Sequence, residues 1–369
     1  MSGSLPSQVL EQLAGSRAHL KKMNVLVGFD GFLDTILHVV DKRESSAKFT
    51  RLAKMGAFAN RIETAAGLSA NFEFVTQMLK LGGNGPIMAN ALGAYGSPVT
   101  YIGSLGSPAV HPVFAGLAKR ATVHSISDPG FTDAIEFDDG KIMCGKHESL
   151  KQVNWPNLIR HIPEEKLAQI FSDSTLIALV NWTMLPFMSQ ILQKVLTRIA
   201  PRLKGPKRWL FFDLADPAKR TSSDIAALLK LVSKFKKYFN VILGLNLQEA
   251  RQIGAVLGIA LKEDNFDAVT VHAAEIREAL RIHTVVIHPT SFAAAADATG
   301  ATHVIGPFTP KPKITTGAGD HFNAGFCTGR LLDLNLAASL QVGVATSGYY
   351  VREAKSPTLE DLKKFLRTL

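Results

Sequence analysis

The sequence predicts an α/β fold: a mainly parallel sheet with helices on both faces. Three observations carry this expectation. Short apolar runs alternate with helix-length segments along most of the chain. The strand-like runs end on polar residues, Asn181, Asp213, Asn246 and His288, where open parallel sheets meet their ligands. Near the end, a glycine-rich turn, Gly317-Ala318-Gly319, opens a helix that carries an acid, Asp320.

Residues 5–22 read as a helix, and 24–28 as a buried first strand that runs into Asp30 and Asp34. Residues 35–40 form a second apolar segment. Over 49–66, Leu52, Met55, Phe58, Ala59 and Ile62 recur at helical spacing and are expected in the core. Residues 72–81 alternate as a half-exposed strand does. The turn Gly82-Gly83-Asn84-Gly85 follows, with Pro86 in the first turn of a helix that runs to Gly96. It is neither a P-loop nor a dinucleotide fingerprint.

A strand over 99–105 and a helix over 111–120 come next. Residues 134–137 and 141–144 form a hairpin, with Asp-Gly of Asp138-Asp139-Gly140 as its turn. With the 72–81 strand it makes a small sheet beside the main one. From residue 176 the α/β rhythm resumes. Strands are expected at 176–180, 209–212, 241–243, 284–287 and 302–305, and helices at 187–199, 223–238, 247–257, 321–332 and 335–350.

The chain of 369 residues, 46% apolar and 20% charged, can fill one large domain, taken as residues 1–369. No apolar run reaches the roughly 18 residues that cross a membrane, and no signal-peptide pattern opens the chain. The two cysteines, Cys144 and Cys327, speak against a disulfide framework and for a cytoplasmic location. The net charge of +10 is concentrated at 42–54, 202–208 and 234–237. No zinc-finger, RRM-like or homeodomain pattern accompanies it, so anionic metabolites are expected as partners rather than nucleic acid or membrane. The eleven histidines lack a zinc-binding spacing.

A glycine-rich turn at a helix start leaves backbone N–H groups unpaired, and with the helix dipole they attract a phosphate. A carboxylate there, Asp320, suits a group that takes a proton from a hydroxyl attacking that phosphate. The expected chemistry is phosphoryl transfer.

Gly82-Gly83-Asn84-Gly85 and Thr316-Gly317-Ala318-Gly319-Asp320, with Phe322-Asn323-Ala324-Gly325-Phe326 after it, resemble the two signatures of the ribokinase-like (PfkB) carbohydrate kinases. The likeness covers nearly the whole chain. It implies a three-layer α/β/α domain with a small β-sheet lid, here drawn from about 35–42, 72–81 and 131–146. It implies a sugar kinase that moves the γ-phosphate of ATP, with Mg2+, to a hydroxyl of a sugar or sugar phosphate. Asp320 would be the base, and Gly317, Ala318 and Gly319 the anion hole. Asp34, with Asp30, Gly82, Gly83, Asn84 and Asn181, would hold the sugar. Thr315, Thr316, His288, Asn323 and Thr346 fall where the nucleotide is held. Asn246 and Glu249, an Asn-x-x-Glu motif, would organise the magnesium. Sugar and nucleotide are the implied small-molecule partners, and the lid is the surface through which a homodimer would form.

The chain departs from the family pattern at Ile314, usually an acid, and at Ile87, usually an asparagine. The spacing of Gly28, Asp30 and Asp34 also resembles the ADP-dependent sugar kinases of the same superfamily. An ADP-dependent sugar kinase, a nucleoside kinase and a catalytically silent sugar- or nucleotide-binding regulator are the alternatives.

Overall fold

The first strand, Val25–Phe29, is apolar throughout because both its faces are covered. The computed structural model describes residues 4–369; residues 1–3, counted above in the single domain, lie outside the described residues. In chain order the strands are β1 (Val25–Phe29), β2 (Phe32–Arg43), β3 (Phe49–Arg51), β4 (Phe74–Gly82), β5 (Val99–Gly103), β6 (Ala121–Ser125) and β7 (Gly130–Phe137). They continue as β8 (Gly140–Lys146), β9 (Leu176–Leu179), β10 (Arg208–Asp213), β11 (Phe239–Leu245), β12 (Thr284–Ile287), β13 (Phe292–Asp297) and β14 (Gly300–Ile305).

Nine of them form one sheet in the order β14-β13-β12-β11-β10-β9-β1-β5-β6. Neighbours run parallel from β6 through β12, and β13 and β14 close the edge antiparallel. Successive side chains alternate between two apolar layers. Leu210 and Phe212 enter one, with the helices Ser222–Lys234, Leu247–Leu257 and Phe266–Leu280. Phe211 enters the other, with the helices Asn84–Tyr95, Ala318–Leu331 and Leu336–Glu353. The result is a three-layer α/β/α domain.

The helix Ala318–Leu331 is the innermost, buried on almost every side. Small residues make this feasible: a Cβ at Gly325 would sit 2.3 Å from the Thr346 hydroxyl, and one at Gly329 2.7 Å from Ser339 Cα.

Five strands form the second sheet, ordered β3-β2-β7-β8 with β4 on β2. Register places Lys80, Asp34 and Thr132 side by side on one face. The far end is sealed by Val39, Leu52, Phe58, Ile135 and Phe137.

Several expectations needed correction. The 5–22 segment is two helices, Leu5–Gln12 and Ser16–Leu20, broken at Gly15 in the left-handed region (φ 73°). The 49–66 segment begins as β3, drawn into pairing with β2, and is helical only over Met55–Thr64. Ile62, expected in the core, is 50% exposed, and Ala59 is exposed too. The hairpin turn is Asp138-Asp139, because Gly140 already pairs with Phe137. Strand β13 has the sequence Phe-Ala-Ala-Ala-Ala-Asp and the burial of a central strand. Alanine favours helix, and the ladders to β12 and β14 override that preference.

The basic clusters make local contacts: Arg202 pairs with Glu164, Arg43 with Glu73 and Arg51 with Asp138. Cys144 is exposed and Cys327 buried, both as free thiols. Among the described residues, no helix is long and apolar enough to cross a membrane.

Phe212 is 1% exposed and meets the Phe235 ring at 5.5 Å. Phe212→Ala is expected to lower unfolding free energy in urea by about 3–5 kcal/mol; a loss below 1 kcal/mol would contradict this packing.

Candidate active site

At the carboxyl end of β1 the chain turns through Asp30, which is fully buried. Its carboxylate accepts from the N–H groups of Asn84 and Gly85 (both 2.9 Å) and from Asn181 Nδ2 (2.7 Å). Asn84 and Gly85 begin the helix Asn84–Tyr95, and Gly83 before them supplies no side-chain cap. Asp30 therefore caps that helix from a distant part of the chain. The glycines leave room: a Cβ at Gly85 would lie 2.5 Å from the carboxylate. Burial pushes the acid up to about 6, against the pull of its hydrogen bonds. Asp30 does not line the cavity described next, which corrects its expected place on the sugar.

Asn84, once positioned, donates its side-chain N–H to Asp320 Oδ1 (2.9 Å). Asp320 is the third residue of its helix, in the first turn. Burial raises its pKa well above the ordinary carboxylate range, the Asp30 charge adds to this, and the Asn84 bond opposes it. Asp320 lines a cavity of about 440 Å³ together with Asp34, Gly83, Asn84, Asn181, Asn246, Glu249, His288, Thr316, Gly317 and Gly319. These residues come from both sheets and from widely separated parts of the sequence. Gly82 stands behind: a Cβ there would meet the Asp34 carboxylate at 2.4 Å.

Asp34 is raised by burial, with Lys80 and the Thr132 hydroxyl pulling the other way. Three residues of the same wall, Asn181, Ala215 and Asp216, hold left-handed backbone (φ 59°, 57° and 61°). Such strain in non-glycine residues gathers where a surrounding structure fixes a site.

A second cavity of about 410 Å³ lies alongside, lined by Pro289, Phe292, Pro307, Phe308, Pro312, Phe322, Val344 and Val351, with Thr315, Ala318, Ser347 and Gly348. The two share Asn246, His288 and Gly319. His288 sits at this junction, half-buried, with its Nε2 atom buried and unpartnered among the described residues. Burial lowers its pKa to about 4, so the ring is neutral.

Other assignments shift. Ala318 N–H turns back onto Thr315 O (3.1 Å) and is not offered to a ligand, whereas the N–H groups of Gly317 and Gly319 have no partner among the described residues. Asn323 and Thr346, expected on the nucleotide, line neither cavity. Asn323 donates to Asp213 Oδ2 (2.8 Å), and the Thr346 hydroxyl meets Val342 O (2.6 Å) and Tyr95 (2.6 Å). Ser347 and Gly348, which follow Thr346, face the apolar cavity instead. Thr316 lines the acidic cavity rather than the apolar one, and its hydroxyl accepts from Lys141 of β8.

Asn246 and Glu249 form a reciprocal cap at the helix Leu247–Leu257: Asn246 Oδ1 takes Glu249 N–H (2.9 Å), and Glu249 Oε2 takes Asn246 N–H (2.8 Å). Asn246 thus caps the helix and orients Glu249 beside it. Glu249 is 4% exposed and accepts Asp216 N–H (2.9 Å) at its other oxygen. Asp213 faces it, raised by burial and by the charges of Glu249 and Asp320. In the sequence Asp213 only ends a strand, and Asp216-Pro217 downstream is an ordinary turn signal, so no local pattern marks Asp213 as a site residue. These oxygen donors, with the mutual repulsion a cation would relieve, fit magnesium held largely through water. Among the described residues, no group of three or more His, Cys, Asp or Glu side chains could together hold a metal ion.

Residues 8–369 match the family described as prokaryotic ketohexokinase. A ketohexokinase of Haloferax volcanii is 30% identical over 343 residues, covering 92% of this chain and 90% of that protein. Among solved structures, an Agrobacterium tumefaciens carbohydrate kinase superposes with a TM-score of 0.64 at 18% identity, over 94% of this chain and 97% of that one. An Arabidopsis thaliana ribokinase complexed with ribose and ATP gives 0.62 at 16% identity, over 94% and 99%. A Methanocaldococcus jannaschii nucleoside kinase gives 0.61 at 13%, over 94% and 98%. At such identities the likeness is one of fold. The family match and the shared fold lead to one conclusion: the chain belongs to the prokaryotic ketohexokinase family and is a sugar kinase of the ribokinase-like fold.

Proposed function

We propose that the enzyme transfers the γ-phosphate of ATP to a hydroxyl of an unphosphorylated ketohexose, with Asp320 as the base. One observation carries this reading: Asp320 and Asp34 share a cavity with the Gly317–Gly319 turn, and that cavity joins an apolar one at His288, Asn246 and Gly319. The apolar cavity, walled by proline and phenylalanine, suits a nucleotide base. The acidic one suits a polyhydroxylated acceptor. The name of the Haloferax relative supports a ketohexose.

The charges favour a neutral sugar over a sugar phosphate. Asp34, Asp213, Asp216, Glu249 and Asp320 line the acceptor cavity; Lys219, the lining lysine, is paired with Asp216 at 3.3 Å, and Lys80 and Lys141 beside Asp34 leave the acids in excess. A second phosphate there would meet net negative charge.

In the reaction, Asp34 holds sugar hydroxyls and Asp320 takes the proton of the attacking one as its oxygen bonds to phosphorus. The bond to the leaving ADP oxygen breaks, and the N–H groups of Gly317 and Gly319 receive the charge on the transferred group. Glu249 and Asp213 would hold magnesium, which supplies positive charge to the donor phosphates. The small sheet acts as a lid: Lys141 already touches Thr316, so closure over the acceptor excludes water at the reacting atoms.

Asp320→Asn is expected to reduce turnover at least about a thousandfold while nucleotide still binds. Near-normal turnover with fructose and ATP would remove Asp320 as base, and turnover with ADP in place of ATP would reassign the donor. The same substitution also tests the burial of the charge. An acid raised in the folded state makes the protein lose stability as pH rises from the unfolded carboxylate range through the folded pKa. Asp320→Asn should therefore melt higher than wild type at pH 8, with the gap narrowing toward pH 5. A gap that widens toward pH 5 would contradict the raised pKa.

Glu249→Gln should raise the magnesium concentration needed for half-maximal rate. An unchanged magnesium dependence would take Glu249 out of the cation site.

A further inference from the structure

The turn Thr316-Gly317-Ala318 is gripped from behind. Tyr350 donates its hydroxyl to Thr316 O (2.9 Å), and His321 Nδ1 donates to Gly317 O (2.7 Å). The two rings stack on each other at 3.6 Å with an interplanar angle of 13°. Because a trans peptide is planar, its C=O and N–H point in opposite directions. Holding Thr316 O toward Tyr350 therefore aims Gly317 N–H away from it. Gly317 itself has φ 92°, a backbone state that glycine enters and leaves easily, so the peptide would turn freely without a restraint.

We propose that Tyr350 and His321 are positioning residues that set the anion-hole turn for phosphoryl transfer, acting on its carbonyls and never touching substrate. The assignment rests on the reading of Gly317 and Gly319 as the anion hole. Three further facts support it. Ile87 closes on Gly317 from another side: a Cβ at Gly317 would lie 3.2 Å from Ile87 Cδ1 and 3.2 Å from the Tyr350 hydroxyl. The His321 ring is anchored in turn, since Ser356 Oγ lies 2.9 Å from Nε2 and receives Asn90 Nδ2 at 3.0 Å. Protonation states agree as well. Burial lowers His321 to about 4, leaving one N–H for Gly317 and one lone pair for Ser356. Burial and the Asp320 and Asp34 charges raise Tyr350 to about 12, so its donor proton is kept.

Tyr350→Phe removes one hydroxyl and keeps the stacked ring. The expected result is a kcat lower by about tenfold, smaller than the loss of a direct anion-hole donor, with KM for sugar and ATP within about twofold. The melting-temperature rise on adding ADP alone should match wild type, and the extra rise on adding aluminium fluoride with sugar should be lost. A kcat within twofold of wild type, with that extra rise intact, overturns the clamp. Should Tyr350→Phe fail to fold, Ser356→Ala, which loosens His321 from outside the site, is expected to lower kcat in the same direction, and an unchanged kcat would count against the clamp equally. The wild-type response to aluminium fluoride separates the two levels: if wild type shows the extra rise and Tyr350→Phe behaves normally, only the clamp falls, and if wild type shows no extra rise, the anion-hole reading falls with it.

Discussion

One buried anion holds the site together. Asp30, at the end of β1, takes the two first N–H groups of the helix Asn84–Tyr95 and the side chain of Asn181 beyond β9. Hydrogen bonds to a buried charge are worth about 1.5–3 kcal/mol each, and here they offset the cost of taking the carboxylate out of water. The consequence reaches past Asp30. Asn84 is fixed at the helix start, its side chain then meets Asp320, and Asp320 is carried by the helix that packs against the same Asn84–Tyr95 helix. A cavity-lining asparagine and the proposed base are thus set by an acid that lines neither cavity.

The negative charge gathered around Asp320 has a cost that function explains. Asp30, Asp213, Glu249 and Asp320 are all raised by burial first, and neighbouring acids add to the shift at Asp213, Glu249 and Asp320. Packing four acids together would be poor design for stability alone. It suits the proposed roles, in which a cation and an alcohol proton would offset that charge. The left-handed backbone at Asn181, Ala215 and Asp216 belongs to the same wall.

The two departures from the family pattern acquire physical meaning. Ile87 packs against Gly317, an apolar stop where a polar side chain would compete for the turn's backbone. Ile314 lines the space behind the turn, alongside His321 and Tyr350, and not the apolar cavity beside Phe322. Both therefore bear on how the turn is held, and Ile87 also lines the cavity that holds Asp34 and Asp320.

Much of the protein is legible in its sequence because local rules dominate there. The parallel sheet follows from apolar runs that must be covered on two faces. The turn before Asp320 follows from glycine at a helix start, where N–H groups are unpaired whatever surrounds them. The hairpin within the small sheet is legible from its turn residues and alternation. Other features arise from pairings between distant segments. Register alone puts Thr132 and Lys80 beside Asp34. The capping of a helix by Asp30, 54 residues before the N–H it receives, has no local signal. Asn323 reads as a ligand contact from its motif and Thr346 from its place in the family resemblance, yet helix packing turns both inward. An alanine-rich strand, β13, is strand only because its neighbours present unpaired backbone. Sequence determined the kinds of elements and the chemistry gathered at their ends; tertiary structure decided which carboxylates face the cavity and which hold it up, because burial and partner geometry are properties of the assembled layers.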